Sequence, residues 1–188
     1  MERPLFIPVI LGTARQGRRS EHAARLVFEQ TKKRTDIETE LIDACKVPMK
    51  LDDAGEHERP KILSDHPALR RTHYSNSGIQ SWLSGLLKHA LDMNFEEYNH
   101  KAVGICGVSA GPFDGTRVIQ GLLPVMCELG LVAIFWDVKF ENVQNLFEEH
   151  GNLLDQSYVR RLDKFLNELV WMSRVLRYGR ENIAGVVE

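Results

Sequence analysis

The 188-residue sequence is poor in cysteine: it has three, Cys45, Cys106 and Cys127, and no pair at C-x-x-C spacing. That scatter and odd count exclude a disulfide framework and give no dithiol or zinc motif, so a reducing, cytoplasmic setting is expected. Excess charge of one sign is missing too, since 24 basic and 26 acidic residues intersperse to a net charge of −2. The balance leaves no broad positive field for nucleic acid and no polybasic anchor for a membrane. No apolar run approaches transmembrane length, and the segment after Met1–Pro4 lacks the small-residue cleavage site of a secretory leader. Repeats and low-complexity tracts are absent. The length suits one core and one domain over residues 1–188.

Metal-ligand spacing is also lacking. Asp52, Asp53, Glu56 and His57 sit in PMKLDDAGEHERP, which reads as a solvated acidic connection with no second ligand cluster to support it. The histidines are dispersed and read as surface or helix residues.

What is present concentrates between Leu5 and Val27. An apolar run stops at Gly12, crosses the basic, hydroxylated loop GTARQGRRS and enters an amphipathic helix expected from Ser20 to about Lys33. Backbone N–H groups at a helix start have no internal partners and lie at the positive end of the dipole, so such a loop suits an anion. Thr13 and Ser20 supply hydroxyls, and Arg15 with Arg18 or Arg19 supplies guanidinium forks that match a phosphate. Neither G-x-G-x-x-G nor G-x-x-x-x-G-K-[ST] occurs in the loop, which points away from a dinucleotide or a magnesium triphosphate and toward a terminal monophosphate.

The rest alternates strands and helices. Ile37–Asp43 reads as a strand, Trp82–Asp92 as a helix and Ala102–Val108 as a strand buried on both faces. Thr116–Leu129 reads as a helix stopped by Gly130, Leu131–Val138 as a further fully buried strand, and Gln156–Gly179 as a helix with one apolar stripe. Arg174, Arg177 and Arg180 near its end complement the helix dipole. Such alternation implies a parallel, doubly wound sheet whose ligand lies beyond the carboxyl ends of its strands. Two glycine-bearing loops follow strands there, GTARQGRRS and SAGPFDG. In the second, Ser109 offers a donor while Gly111 and Gly115 let backbone approach a flat ligand.

LGTARQGRRS, GLLKHALD and AVGICGVSAGPFDGTRVIQGLLPVMCELG, in that order, closely resemble the NADPH-dependent FMN reductases. The resemblance implies a flavodoxin-like fold, an α/β domain with a five-stranded parallel sheet in the order 2-1-3-4-5, and a homodimer or homotetramer. It implies FMN with its phosphate on Thr13, Arg15, Arg18 and Ser20 and its ring against Ser109, Ala110, Gly111 and Gly115. NADPH or NADH would donate hydride, and a quinone, a free flavin or an azo compound would accept electrons. No catalytic side chain is implied, because the cofactor carries the chemistry. Asp114 stands where the family commonly has glycine.

The chain departs from the family before GLLKHALD. Where the resemblance calls for an apolar third strand and a TPEYNHGYP-like loop, it reads THYSNSGIQSWLS, and Arg70, Arg71, His73, Ser75 and Asn76 are poor occupants of a central strand. Written as codons and read one base later, Thr72–Ser84 can encode RTIVTPEYNHGYP, and Trp82 compels glycine in that frame. A frame displaced over roughly residues 65–84 is the expectation, with the third strand in doubt. Ser77, Gly78, Ile79 and Gln80 then stand where the family's flavin loop belongs. Two other functions remain open: a flavodoxin-like carrier or sensor without turnover, and a phosphatase, disfavoured because the first loop has no cysteine and Cys106 has no arginine at C-x5-R distance.

Overall fold

The computed structural model describes residues 3–47, 72–76, 84–94, 96–111 and 114–183. The first apolar run divides into β1 (Leu5–Phe6) and β2 (Val9–Leu11), joined by Ile7 and Pro8. Helix α1 (Ser20–Lys32) follows, then β3 (Ile37–Glu38) and β4 (Leu41–Asp43). Leu5 lies opposite Ile37 and Val9 opposite Leu41, both parallel, so the register passes the interruption without slipping. Within the gap, the Ile7 and Val9 N–H groups still donate to the Glu38 and Glu40 carbonyls at 2.8 Å each. Thr39 Oγ1 donates to the Ile7 carbonyl at 2.7 Å, so a side chain replaces a backbone donor and breaks the ladder locally.

Strand β5 (Thr72–Asn76) runs between β2 and β6 (Lys101–Val108), parallel to both. Its backbone thus occupies the central place that its polar sequence made doubtful. A ladder needs only N–H and C=O groups, which every residue of THYSN carries. All eight residues of β6 are buried, as the apolar run predicts. Helix α2 (Gly85–Asp92) precedes β6 and α3 (Asp114–Glu128) follows it, and Gly130 ends α3 at φ +69°.

The expected strand over Leu131–Val138 is instead two, β7 (Leu131–Ala133) and β8 (Val138–Phe140), each parallel to β6. Lys101 faces Leu131 but Cys106 faces Val138, so the edge strand carries two residues more than its partner. The surplus is expelled as a bulge. Phe135 is 85% exposed and Trp136 47%, which corrects the expectation of full burial. A short helix α4 (Val143–Leu146) leads to the long α5 (Ser157–Asn182).

The main sheet thus runs β4-β2-β5-β6-β7, with β8 also on β6 and the β1–β3 pair forming a separate small sheet. Alternation sends Leu5, Ile7, Val9 and Leu11 to one face, where α1 and α5 cover them, and Phe6 and Ile10 to the other, under α2 and α3. On α1 the buried positions Ala23, Ala24 and Val27 repeat at helical spacing, and α5 buries Leu162, Phe165, Leu166 and Leu169. Val175, expected on the buried stripe of α5, is 46% exposed. The basic end of that helix does more than complement a dipole: Arg174 pairs with Asp36, and Arg177 donates to the Arg3 and Pro4 carbonyls.

Candidate functional site

Parallel strands β2, β5 and β6 end side by side, since Leu11 is level with Ser75, and Ser75 with Cys106. Two inter-strand spacings separate β2 from β6, so the two glycine-bearing loops leave the same carboxyl edge roughly 10 Å apart. β5 ends between them. Ser77, Gly78, Ile79 and Gln80, expected at the flavin loop, lie outside the described residues.

In the first loop, Thr13 and Ser20 are each 1% exposed, whereas Arg15 is exposed and Gly17 turns the chain at φ +67°. Ser20 Oγ is buried without a hydrogen-bond partner. A buried hydroxyl left unpaired is costly, and this one belongs to the first residue of a 13-residue helix, the end where an anion is favoured. A neighbouring groove of about 630 Å³ is lined by Arg15, Arg18, Arg19, Lys46, Asp43 and Glu149 but by neither Thr13 nor Ser20. That volume falls in the range of small-ligand sites.

Arg18 does not hang free in this groove. Its Nη2 donates to Asp43 Oδ2, and its Nη1 donates to the Thr13 carbonyl and to Cys45 Sγ, the latter at 3.2 Å. The two charged side chains are only 13% and 14% exposed. Burial alone would push the Asp43 carboxyl up. The Arg18 hydrogen bond, the Cys45 backbone N–H and the charges of Arg18 and Lys46 together outweigh it and hold the group below its usual value. Burial likewise works against the Arg18 charge, and the bond and charge of Asp43 raise its pKa on balance.

The second loop is a tight assembly. Ser109, 4% exposed, donates its hydroxyl to the Gly111 carbonyl at 2.5 Å, and its backbone N–H to Phe140 at 3.0 Å. Ala110 is exposed. Gly115 is buried in the first turn of α3, where its carbonyl would stand 2.5 Å from a Cβ at Gly107. Its evident work is close helix–strand contact.

No protein-family model matches the chain, and no curated protein matches it. Solved structures do. FerB, a flavoenzyme NAD(P)H:(acceptor) oxidoreductase from Paracoccus denitrificans, is 15% identical, with 90% of this chain and 98% of that one covered and a TM-score of 0.72. The NADH:FMN oxidoreductase EMOB in its apo form is 17% identical over 86% of this chain and 88% of its own, with a TM-score of 0.64. A mutant flavodoxin from Pseudomonas aeruginosa is 12% identical over 88% and 99%, with a TM-score of 0.58.

The fold is flavodoxin-like.

Several residues at the carboxyl edge of this flavodoxin-like sheet carried no motif in the sequence. Asp43 and Cys45 close on Arg18 from the end of β4, and Ser84 reaches the Gly12 carbonyl at 2.5 Å. Gln144 Nε2 donates to the Ala110 carbonyl at 2.9 Å, and Asn142, at φ +47°, offers its N–H toward Gly111. The signal that could have found Asp43 is its place as the last residue of the second strand, since doubly wound sheets gather ligands at such ends. Cys106, by contrast, is 1% exposed, and burial raises its thiol pKa, which fits inert packing. Among the described residues, no group of His, Cys, Asp and Glu could hold a metal ion, and no helix is long and apolar enough to cross a membrane.

Proposed function

We propose that the protein is an FMN-dependent NAD(P)H oxidoreductase that passes reducing equivalents to a quinone, flavin or azo acceptor. The observation that carries the reading is Ser20: a buried, unpartnered hydroxyl at the head of α1, beside an arginine-lined groove at the carboxyl edge of the sheet. Similarity in fold to an NAD(P)H:(acceptor) oxidoreductase and an NADH:FMN oxidoreductase supports it.

The donor set suits a flavin mononucleotide. Thr13, Arg15, Arg18 and Ser20 would hold the phosphate through hydroxyl and guanidinium donors. Ser109, Ala110, Gly111 and Gly115 would border the ring, with Ser77, Gly78, Ile79 and Gln80 the proposed remainder of its wall. When bound, the cofactor supplies the hydride-accepting and electron-passing chemistry. The chain binds and orients. Ser109 and Gln144 fix the second loop through the Gly111 and Ala110 carbonyls, which sets where backbone meets the ring. No side chain is assigned a proton transfer.

We propose that β1 with β2, β3 with β4 and β7 with β8 count as interrupted single strands, which would make a five-stranded sheet in the order 2-1-3-4-5, and that the whole chain is one such domain. We further propose a cytoplasmic homodimer or homotetramer, and a displaced reading frame over roughly residues 65–84, which sequencing the coding DNA tests directly.

A visible absorption spectrum after FMN reconstitution, followed by NADH and NADPH oxidation with a quinone, tests the function. Bound flavin with turnover supports it. A folded protein that takes up no FMN refutes it. The match to a flavodoxin favours one second reading, a carrier without turnover, which would give the spectrum and no NAD(P)H oxidation.

A further inference from the structure

We propose that Asp43 is a positioning residue for phosphate recognition, clamping Arg18 so that its guanidinium meets the ligand as a fixed edge rather than as a mobile charge. The inference rests on the FMN reading of the first loop.

A guanidinium has five N–H donors in a rigid plane. In Arg18, Nη1 donates to the Thr13 carbonyl and Cys45 Sγ, and Nη2 donates to Asp43 Oδ2. None of these contacts uses Nε–H. Nε–H and the Nη2 hydrogen beside it form one edge of the plane, spaced to grip two oxygens of a phosphate, and under the clamp that edge is the one offered to the ligand. Asp43 is itself immobilised, because its Oδ1 accepts the Cys45 N–H at 3.1 Å and so caps the short turn Ala44–Lys46. The carboxylate is therefore held by backbone on one oxygen and holds Arg18 with the other. The clamp ties the first loop to the end of β4 across 25 residues of sequence.

Neutralisation of Arg18 by Asp43 has an electrostatic consequence. The pair brings directed hydrogen bonds with little net charge, so long-range attraction of an anion falls to the exposed Arg15, Arg19 and Lys46. Two opposing effects on FMN affinity thus separate by sign. If Asp43 mainly repels the phosphate, its removal strengthens FMN binding. If it mainly positions Arg18, removal weakens binding.

The test compares dissociation constants for FMN and riboflavin, read by flavin fluorescence, in the parent, Asp43→Asn, Arg18→Ala and the double variant. Riboflavin lacks the phosphate, so a general loosening of the fold moves both constants while a positioning role moves only FMN. Asp43→Asn is expected to weaken FMN about tenfold, the scale of one charge-assisted hydrogen bond. Riboflavin should stay within about twofold. In the Arg18→Ala background, Asp43→Asn should have no further effect on the FMN-to-riboflavin ratio, because Asp43 acts through Arg18. Unchanged or tighter FMN binding by Asp43→Asn, a parallel loss of riboflavin, or an effect that persists without Arg18 each overturns the proposal. Should Asp43→Asn not fold, Asp43→Ser is titrated with the same criteria. A parent with no preference for FMN over riboflavin overturns the phosphate reading itself and the clamp with it, whereas a parent that has the preference and a variant that keeps it overturn the clamp alone.

Discussion

Ser84 and Gly12 are joined at the carboxyl edge of the sheet: the serine hydroxyl donates to the Gly12 carbonyl at 2.5 Å and accepts the Leu87 N–H at 3.1 Å. One oxygen thus caps α2 and fixes the end of β2 just before the first loop. Gly12 is required there, since a Cβ would stand 2.7 Å from Leu87 Cδ2. Ser84→Ala removes the cap and leaves a carbonyl unpaired, and is expected to cost about 1–2 kcal/mol. Urea unfolding at constant slope measures it. A midpoint equal to the parent's would show that water replaces both bonds.

Gly104 in β6 faces the ring of Phe165 in α5. A Cβ at Gly104 would meet Phe165 Cζ and lie 2.8 Å from Cε2, and Phe165 is fully buried. Gly104→Ala should therefore destabilise by about 1–3 kcal/mol through overpacking. Shortening the intruding ring should recover part of that loss, so Gly104→Ala with Phe165→Leu is expected to be more stable than the sum of the two single changes predicts. Strict additivity in thermal melts would place the strain elsewhere.

The sequence made some of this legible and hid the rest for physical reasons. AVGICGV reads as a doubly buried strand because parallel sheets bury both faces, and it is β6. The Leu5–Leu11 run and the amphipathic start of α1 predict the first loop for the same kind of reason. Phe135 and Trp136 depart from the expected burial because apolar continuity records hydrophobicity but not length, and only the partner strand reveals that two residues are surplus. The side chains of THYSN argue against a central strand, yet β5 is set by backbone pairing, His73–Ser75 with Val9–Leu11 and Thr72–Asn76 with Val103–Gly107. At the site, Ser20 announces itself locally. Asp43 does not, because its meeting with Arg18 is a product of folding.

Gln144 Nε2 donates to the Ala110 carbonyl at 2.9 Å from an exposed position on α4. Since the second loop is the proposed border of the ring, Gln144→Ala should weaken FMN and riboflavin alike, by about threefold for one neutral hydrogen bond. The contrast with Asp43 is the point of measuring both ligands. A loss confined to FMN would move Gln144 to the phosphate side and contradict the assignment of the two loops.

Asp36, which follows α1, receives Arg34 Nε at 3.0 Å and Arg174 Nη2 from α5 at 3.1 Å. The Arg34 hydrogen bond is the largest influence, and with the charges of Arg34 and Arg174 it outweighs burial and holds the carboxyl below its usual 3.8. A folded-state pKa below the unfolded one means that the stabilisation is full above the unfolded value, near 3.9, and is lost as pH falls through the folded value. The Asp36 side chain is 28% exposed and Arg174 46%, so solvent screening limits the contribution to about 0.5–1 kcal/mol. Asp36→Asn should therefore melt below the parent at pH 7 and pH 5, and the gap should close progressively below about pH 4 as the parent's own carboxylate protonates. Melting curves of both proteins across that range measure the gap. A difference that persists undiminished into acid would show that the asparagine disturbs packing at the α1–α5 contact rather than the charge that joins it.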